Sequence, residues 1–231
     1  MNKGDKRGSH VEVMISFVIF IGFVLFLLSI LMPSVGTQKD KTKIFQGIEI
    51  GILNKVSSNM TVIDTNIGDI GQNCVNLDNF MSNTGIGSNI IVKDSYGKTV
   101  SSNINGDSIQ ITRTSTADKF FKIYYSSEFE SLNTSGTCSL INYSIGLTKT
   151  SQYVFERKFI EMMSENQDTL KNEINVPDGI GYGYGIILSN GTTIETQEGT
   201  LSANVYVKET PIEYVDLDGN IMEGYIKTKI W

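Results

Sequence analysis

The run Met14-Ile15-Ser16-Phe17-Val18-Ile19-Phe20-Ile21-Gly22-Phe23-Val24-Leu25-Phe26-Leu27-Leu28-Ser29-Ile30-Leu31-Met32 holds nineteen residues without a charge, and only Ser16, Gly22 and Ser29 are polar or small. As a helix it reaches roughly 28 Å, close to the roughly 30 Å hydrocarbon thickness of a bilayer. The run therefore reads as a membrane span, and Val11 to Val13 extend it. A cleavable secretory signal has an apolar region of only about 7 to 15 residues, so this one is too long, although Ser34-Val35-Gly36 forms a small-residue cleavage site. Lys3, Lys6 and Arg7 precede the span, and Lys39, Lys41 and Lys43 follow it, which leaves its orientation undecided by charge.

Beyond the span, Ile44, Ile48, Ile52 and Val56 recur every four residues, with Phe45 and Leu53 widening the stripe. This is an amphipathic helix whose apolar face should pack on the domain that follows. Pro33 and Ser34 to Gly36 predict a kink or interruption within a helical region from Val11 to about Ser57. From Met60 onward strands and turns dominate. Ile90 to Val92, Ser108 to Thr112, Phe120 to Tyr125, Ala203 to Val207 and Tyr225 to Trp231 read as strands. Turns are expected at Ser95 to Lys98, Asn105 to Asp107, Ser189 to Gly191 and Asp218 to Asn220. Val154, Phe155, Phe159, Ile160, Met163, Leu170 and Ile174 recur at helical spacing, so a second helix is expected near 152–174, dividing the sheet region into two lobes. The expected fold is α+β: a long N-terminal helix, then a β-rich domain with one additional helix.

The chain has 231 residues, a formal net charge of −6 and no Lys/Arg cluster longer than two, which argues against nucleic-acid binding. Motifs for chemistry fail on spacing. Gly97-Lys98-Thr99 has Val92 where a phosphate loop needs glycine, and the glycines from Gly179 to Gly185 miss the dinucleotide register, so they serve strand bending or close packing. Asp216, Asp218, Asn220 and Glu223 resemble the start of a calcium loop, but Gly219 stands two positions early, so a turn is expected. His10, the only histidine, sits at the mouth of the span, far in sequence from any nucleophile in the domain. Glu161, Glu165 and Asp168 fall on the predicted helix and read as a solvated acidic face. The chain is accordingly read as a non-enzyme that needs no cofactor or metal.

Cys74 and Cys138 are the only cysteines. They form either a disulfide in an oxidising compartment, contributing about 3 to 4 kcal/mol, or two separate buried thiols. Sequons at Asn59, Asn133, Asn142 and Asn190 suit glycosylation outside the cell.

At the edge of the span, Lys6-Arg7-Gly8 is followed by Ser9-His10-Val11-Glu12-Val13 and then by apolar sequence. This resembles the class III signal peptide of type IV pilin-like proteins, especially those of archaea. The resemblance implies cleavage by a prepilin peptidase on the cytoplasmic side, after Arg7-Gly8, so that the mature chain begins at Ser9. It implies a leader over 1–8, a transmembrane and amphipathic helix over 9–58, and an extracytoplasmic domain over 59–231. The family often carries Glu at the fifth mature position; here Glu12 is the fourth, and its implied role is assembly, pairing with the N-terminal amine of a neighbour. The implied partners are the membrane, the peptidase and other pilin subunits or copies of this chain. The implied function is a structural or accessory filament subunit. The alternative is a single-pass anchored binding or sensing module that does not polymerise.

Overall fold

A computed structural model of the protein describes residues 8–68, 71–133, 138–196 and 204–231, the side chains of 8–11 and 30–40 excepted. The chain divides into two compact units, one ending at Gly47 and one running from Ile48 to Trp231. Helix α1, Gly8–Val56, forms the described part of the first unit and opens the second. Helical structure continues through Pro33 and Gly36, so the expected interruption is absent. Proline removes one backbone donor, and here that loss is not enough to end the helix between two strongly helical stretches.

In the second unit, β1 (Ser57–Ile67) follows α1 without a connecting loop. Then come β2 (Cys74–Leu77), α2 (Phe80–Thr84), β3 (Ile90–Asp94), β4 (Ser102–Asn105), β5 (Ser108–Thr112), β6 (Phe120–Tyr125) and β7 (Ser139–Leu140). Next are β8 (Tyr143–Phe155), α3 (Glu156–Met163), α4 (Gln167–Glu173), β9 (Tyr182–Ile187), β10 (Thr193–Glu195), β11 (Tyr206–Val215) and β12 (Ile221–Ile230). The architecture is α+β, with an apolar N-terminal helix and a β-rich unit.

Eight strands form one sheet in the order β10-β9-β12-β11-β8-β1-β6-β3, and four form a second in the order β4-β5-β2-β7. The large sheet takes strands from both sides of the α3–α4 insertion, so the expected two lobes are replaced by one sheet joined at its centre. That joint is short: β11 runs parallel to β8 only at Tyr214↔Val154 and Val215↔Phe155. On its other edge β8 pairs with β1 from Ser57↔Val154 to Ile67↔Tyr143, with a register shift opposite Asp64 that takes up Gly146 and Leu147.

The helix expected near 152–174 is two helices, and Gln152 to Phe155 finish β8 instead. Asn166 starts the second: its side chain accepts from the backbone N–H groups of Asp168 (2.9 Å) and Thr169 (3.3 Å). This N-cap restarts the chain as α4 after α3 has ended at Met163. The strand predicted over Ala203 to Val207 starts at Tyr206 and continues to Val215, Ala203 lying outside the described residues. It pairs with β12 from Val215↔Ile221 to Tyr206↔Ile230, around the turn expected at Asp218 to Asn220.

Alternation places the core. Ile63, Ile67, Ile90, Val92, Phe121 and Ile123 of the large sheet cluster with Val75, Leu77, Ile109 and Ile111 of the small one. Met60, Phe155 and Val215 meet Phe129 in a separate cluster. The end of α1 buries Ile48, Ile52 and Val56 completely, as the stripe predicts.

Candidate functional site

The apolar face of α1 is the most unusual surface of the chain. From Glu12 to Ser29 the helix is long and apolar enough to cross a membrane, and no part of that window is buried. Apart from Val24, the large apolar side chains from Val13 to Leu28 are 40–71% exposed, among them Phe17, Phe20, Phe23 and Phe26. Leaving such a surface in water costs about 25 cal/mol per Å² of apolar area. Glu12 stands exposed at the polar end of this window. Gly8 and Ser9 begin α1, while Arg7 lies outside the described residues, as do the side chains of Ser9 and His10.

At its other end α1 is locked into the β-rich unit. Gly51 touches Ile174, just past α4, so closely that an added Cβ would sit 2.7 Å from the Ile174 Cβ. Lys55 forms ion pairs with Glu165 (2.6 Å) and Glu173. The hydrogen bonds to Glu165 and Glu173 raise the affinity of Lys55 for its proton above the ordinary lysine value. Glu49 is buried and meets Lys208 of β11 at 2.5 Å.

Cys74, at the start of β2, is bonded to Cys138, just before β7, with their Cα atoms 5.1 Å apart. The disulfide ties the beginning of the parallel β2–β7 pair, at Val75↔Ser139 and Asn76↔Leu140. The alternative of two separate thiols is thereby removed. The sequon residues Asn59, Asn133, Asn142 and Asn190 are all exposed, with Thr134 and Ser135 outside the described residues.

The motifs set aside on spacing fold as turns and packing positions. Around Gly97 the Asp94 carboxylate accepts from the N–H groups of Tyr96 and Lys98, each at 2.9 Å, which closes a tight turn. Gly181, just before β9, and Gly183 on it face the Trp231 ring, and Gly185 faces Glu195, so these glycines give room for close packing. Glu161, Glu165 and Asp168 do not share one helix: Glu161 lies on α3, Glu165 in the break and Asp168 on α4. Among the described residues no cluster of His, Cys, Asp or Glu suits a metal ion.

The calcium-like turn is held by its own groups. Asp216 accepts from the N–H groups of Asp218 (3.0 Å) and Asn220 (2.7 Å), and from the Asn220 side-chain amide (2.8 Å). Lys93 of β3 reaches into the same turn and donates to the Gly219 carbonyl at 2.7 Å. The same ammonium donates to the Asn220 side-chain Oδ1 at 2.6 Å, so a lysine fills the turn. Lys93 was not singled out in the sequence, because its partner lies more than a hundred residues away.

Two grooves on the large sheet were also illegible in the sequence, since cross-strand register assembles them. One of about 640 Å³ is lined by Ile187, Ser189, Pro211, Glu213, Glu223 and Tyr225. There Glu213 and Glu223 stand directly opposite each other on β11 and β12, a repulsive arrangement unless solvated or neutralised. The second, about 420 Å³, lies at the β1–β8 register shift, with Asp64, Asn66, Phe120, Lys122 and Leu147 in its wall. Both volumes fall in the range of small-ligand sites. No known protein family, characterised protein or solved structure matches this chain.

Proposed function

We propose that this chain is a type IV pilin-like subunit, structural or accessory, which acts by assembly and not by catalysis. In this reading a prepilin peptidase cuts after Gly8, the apolar part of α1 stays in the membrane, and the β-rich unit stands outside the cell. Subunits or copies of the chain then bundle their apolar helices into a surface filament. The observation that carries the reading is an apolar helical surface from Glu12 to Ser29 with no part buried, with Lys6-Arg7-Gly8 three residues before it. Helices of neighbouring subunits would cover Phe17, Phe20, Phe23 and Phe26, and Glu12 would pair with the Ser9 amine of a neighbour, offsetting the cost of a carboxylate at the membrane edge. A disulfide and four exposed sequon asparagines suit an oxidising, extracytoplasmic setting.

The test is the N-terminus and intact mass of the protein recovered from its native membrane. A chain beginning at Ser9, with or without an N-methyl group, is the expected result. A retained Met1 would overturn the reading and favour a fixed anchor carrying a binding module, for which the 640 Å³ groove is the candidate ligand site. A start near Thr37 would overturn it differently, reducing the apolar helix to a signal.

A further inference from the structure

Lys93 is only 3% exposed, and its ammonium lies 5.2 Å from the centroid of the Tyr124 ring. Both hydrogen bonds of its Nζ end on neutral oxygens, the Gly219 carbonyl at 2.7 Å and the Asn220 side-chain Oδ1 at 2.6 Å. Burial pushes the amine toward its neutral form, against the pull of Asp216 and Asp218. One carbonyl bond beyond Oδ1, the Asn220 Cγ is roughly 3 to 4 Å from the nitrogen, near attack distance. On the far side of the same amide, Asp216 Oδ2 accepts from Asn220 Nδ2 at 2.8 Å. An amine, a carboxamide and a carboxylate thus stand in sequence. Gly219, at φ 72°, presents the turn to β3, where an added Cβ would sit 2.7 Å from the Ile91 Cδ1. Close by, the Glu156 carboxyl is pushed up by burial and by the charges of Asp216 and Asp218.

We propose that Lys93 and Asn220 condense into an intramolecular isopeptide bond, with Asp216 relaying the proton. The neutral Nζ attacks Cγ and forms a tetrahedral centre. A proton passes from Nζ to Asp216 and on to Nδ2, the Cγ–Nδ2 bond breaks, and ammonia leaves. The product is a secondary amide between Nζ and Cγ. Atoms balance with ammonia as the only by-product, and no oxidant, reductant or cofactor enters. The bond would join β3 covalently to the β11–β12 turn, on the other side of the large sheet's central joint.

The experiment is mass spectrometry of the full chain, purified in detergent and reduced at Cys74–Cys138. The expected intact mass is lower by about 17 Da, one ammonia, than the sequence of the processed chain requires. Trypsin should then fail to cut at Lys93 and release a branched species joining peptides 56–98 and 209–227. Lys93→Ala and Asn220→Ala should each restore the unlinked mass. Asp216→Asn, which keeps an acceptor for the turn but loses the proton relay, should leave the chain folded by Trp231 fluorescence and unlinked. A folded wild-type chain with the full mass and two separate peptides would overturn the proposal, as would a link that forms unchanged in Asn220→Ala.

Discussion

Gly51 shows how a single residue sets the distance between elements. In an isolated helix alanine would be better than glycine by about 1 kcal/mol. At this position the new methyl would press within 2.8 Å of the Ile174 Cα as well as on its Cβ, so backbone must move. We expect Gly51→Ala to destabilise the protein by about 1 to 3 kcal/mol, read as a lower urea midpoint of Trp231 fluorescence. Gly47, one turn earlier, meets nothing within 4 Å among the described residues, and alanine there should be neutral or stabilising. In the sequence both positions look alike, two glycines in a helical stripe. What separates them is a contact with Ile174, 123 positions away, and that contact exists only after folding. The same limit hid Lys93, whereas Asp216 and Gly219 were legible as a turn because their partners are local.

The ion pairs of Lys55 carry a pH dependence at the level of the elements they join, α1 to the α3–α4 insertion. The folded state raises the Lys55 pKa above 10.5, first through its hydrogen bond to Glu165 and then through that to Glu173. Its contribution to stability is therefore complete below the unfolded value and is lost as pH rises through the higher folded one. Denaturation curves of the wild type should weaken above pH 10.5 more steeply than those of Lys55→Met, which lacks the titrating group. Elements bounded by local signals were legible: β5 and β6 lie where alternation put them, and α1 ends at Val56, close to the expected Ser57. The segment 152–174 misled because Val154 and Phe155 fit a helical spacing and also end a long strand that carries two Thr and two Tyr. Pairing with β1 from Ser57 to Ile67 decided for strand, and pairing is not a local property. Asn166, followed by Asp168, was an available sign that a new helix begins there.

For the whole molecule, the first question is what solvates the apolar helix. If lipid does, arginine near its midpoint should cost about 2.5 to 3.5 kcal/mol per substitution. Phe20→Arg combined with Phe23→Arg should then shift the chain from the carbonate-resistant membrane pellet to the extractable fraction. An unchanged distribution would mean that something other than lipid holds it. The α+β class and the position of the apolar helix were legible because both follow from periodicity along the chain. The assembly of eight strands from both sides of α3–α4 into one sheet was not, since it depends on the two residue pairs that join β8 to β11. The direct passage from α1 into β1 has a mechanical consequence. Tension applied along the helix enters a strand flanked on one side by β8 along its full length and on the other by β6 from Thr61 to Asn66. The load would shear many backbone bonds at once instead of peeling them singly, with no slack segment between helix and strand to yield first.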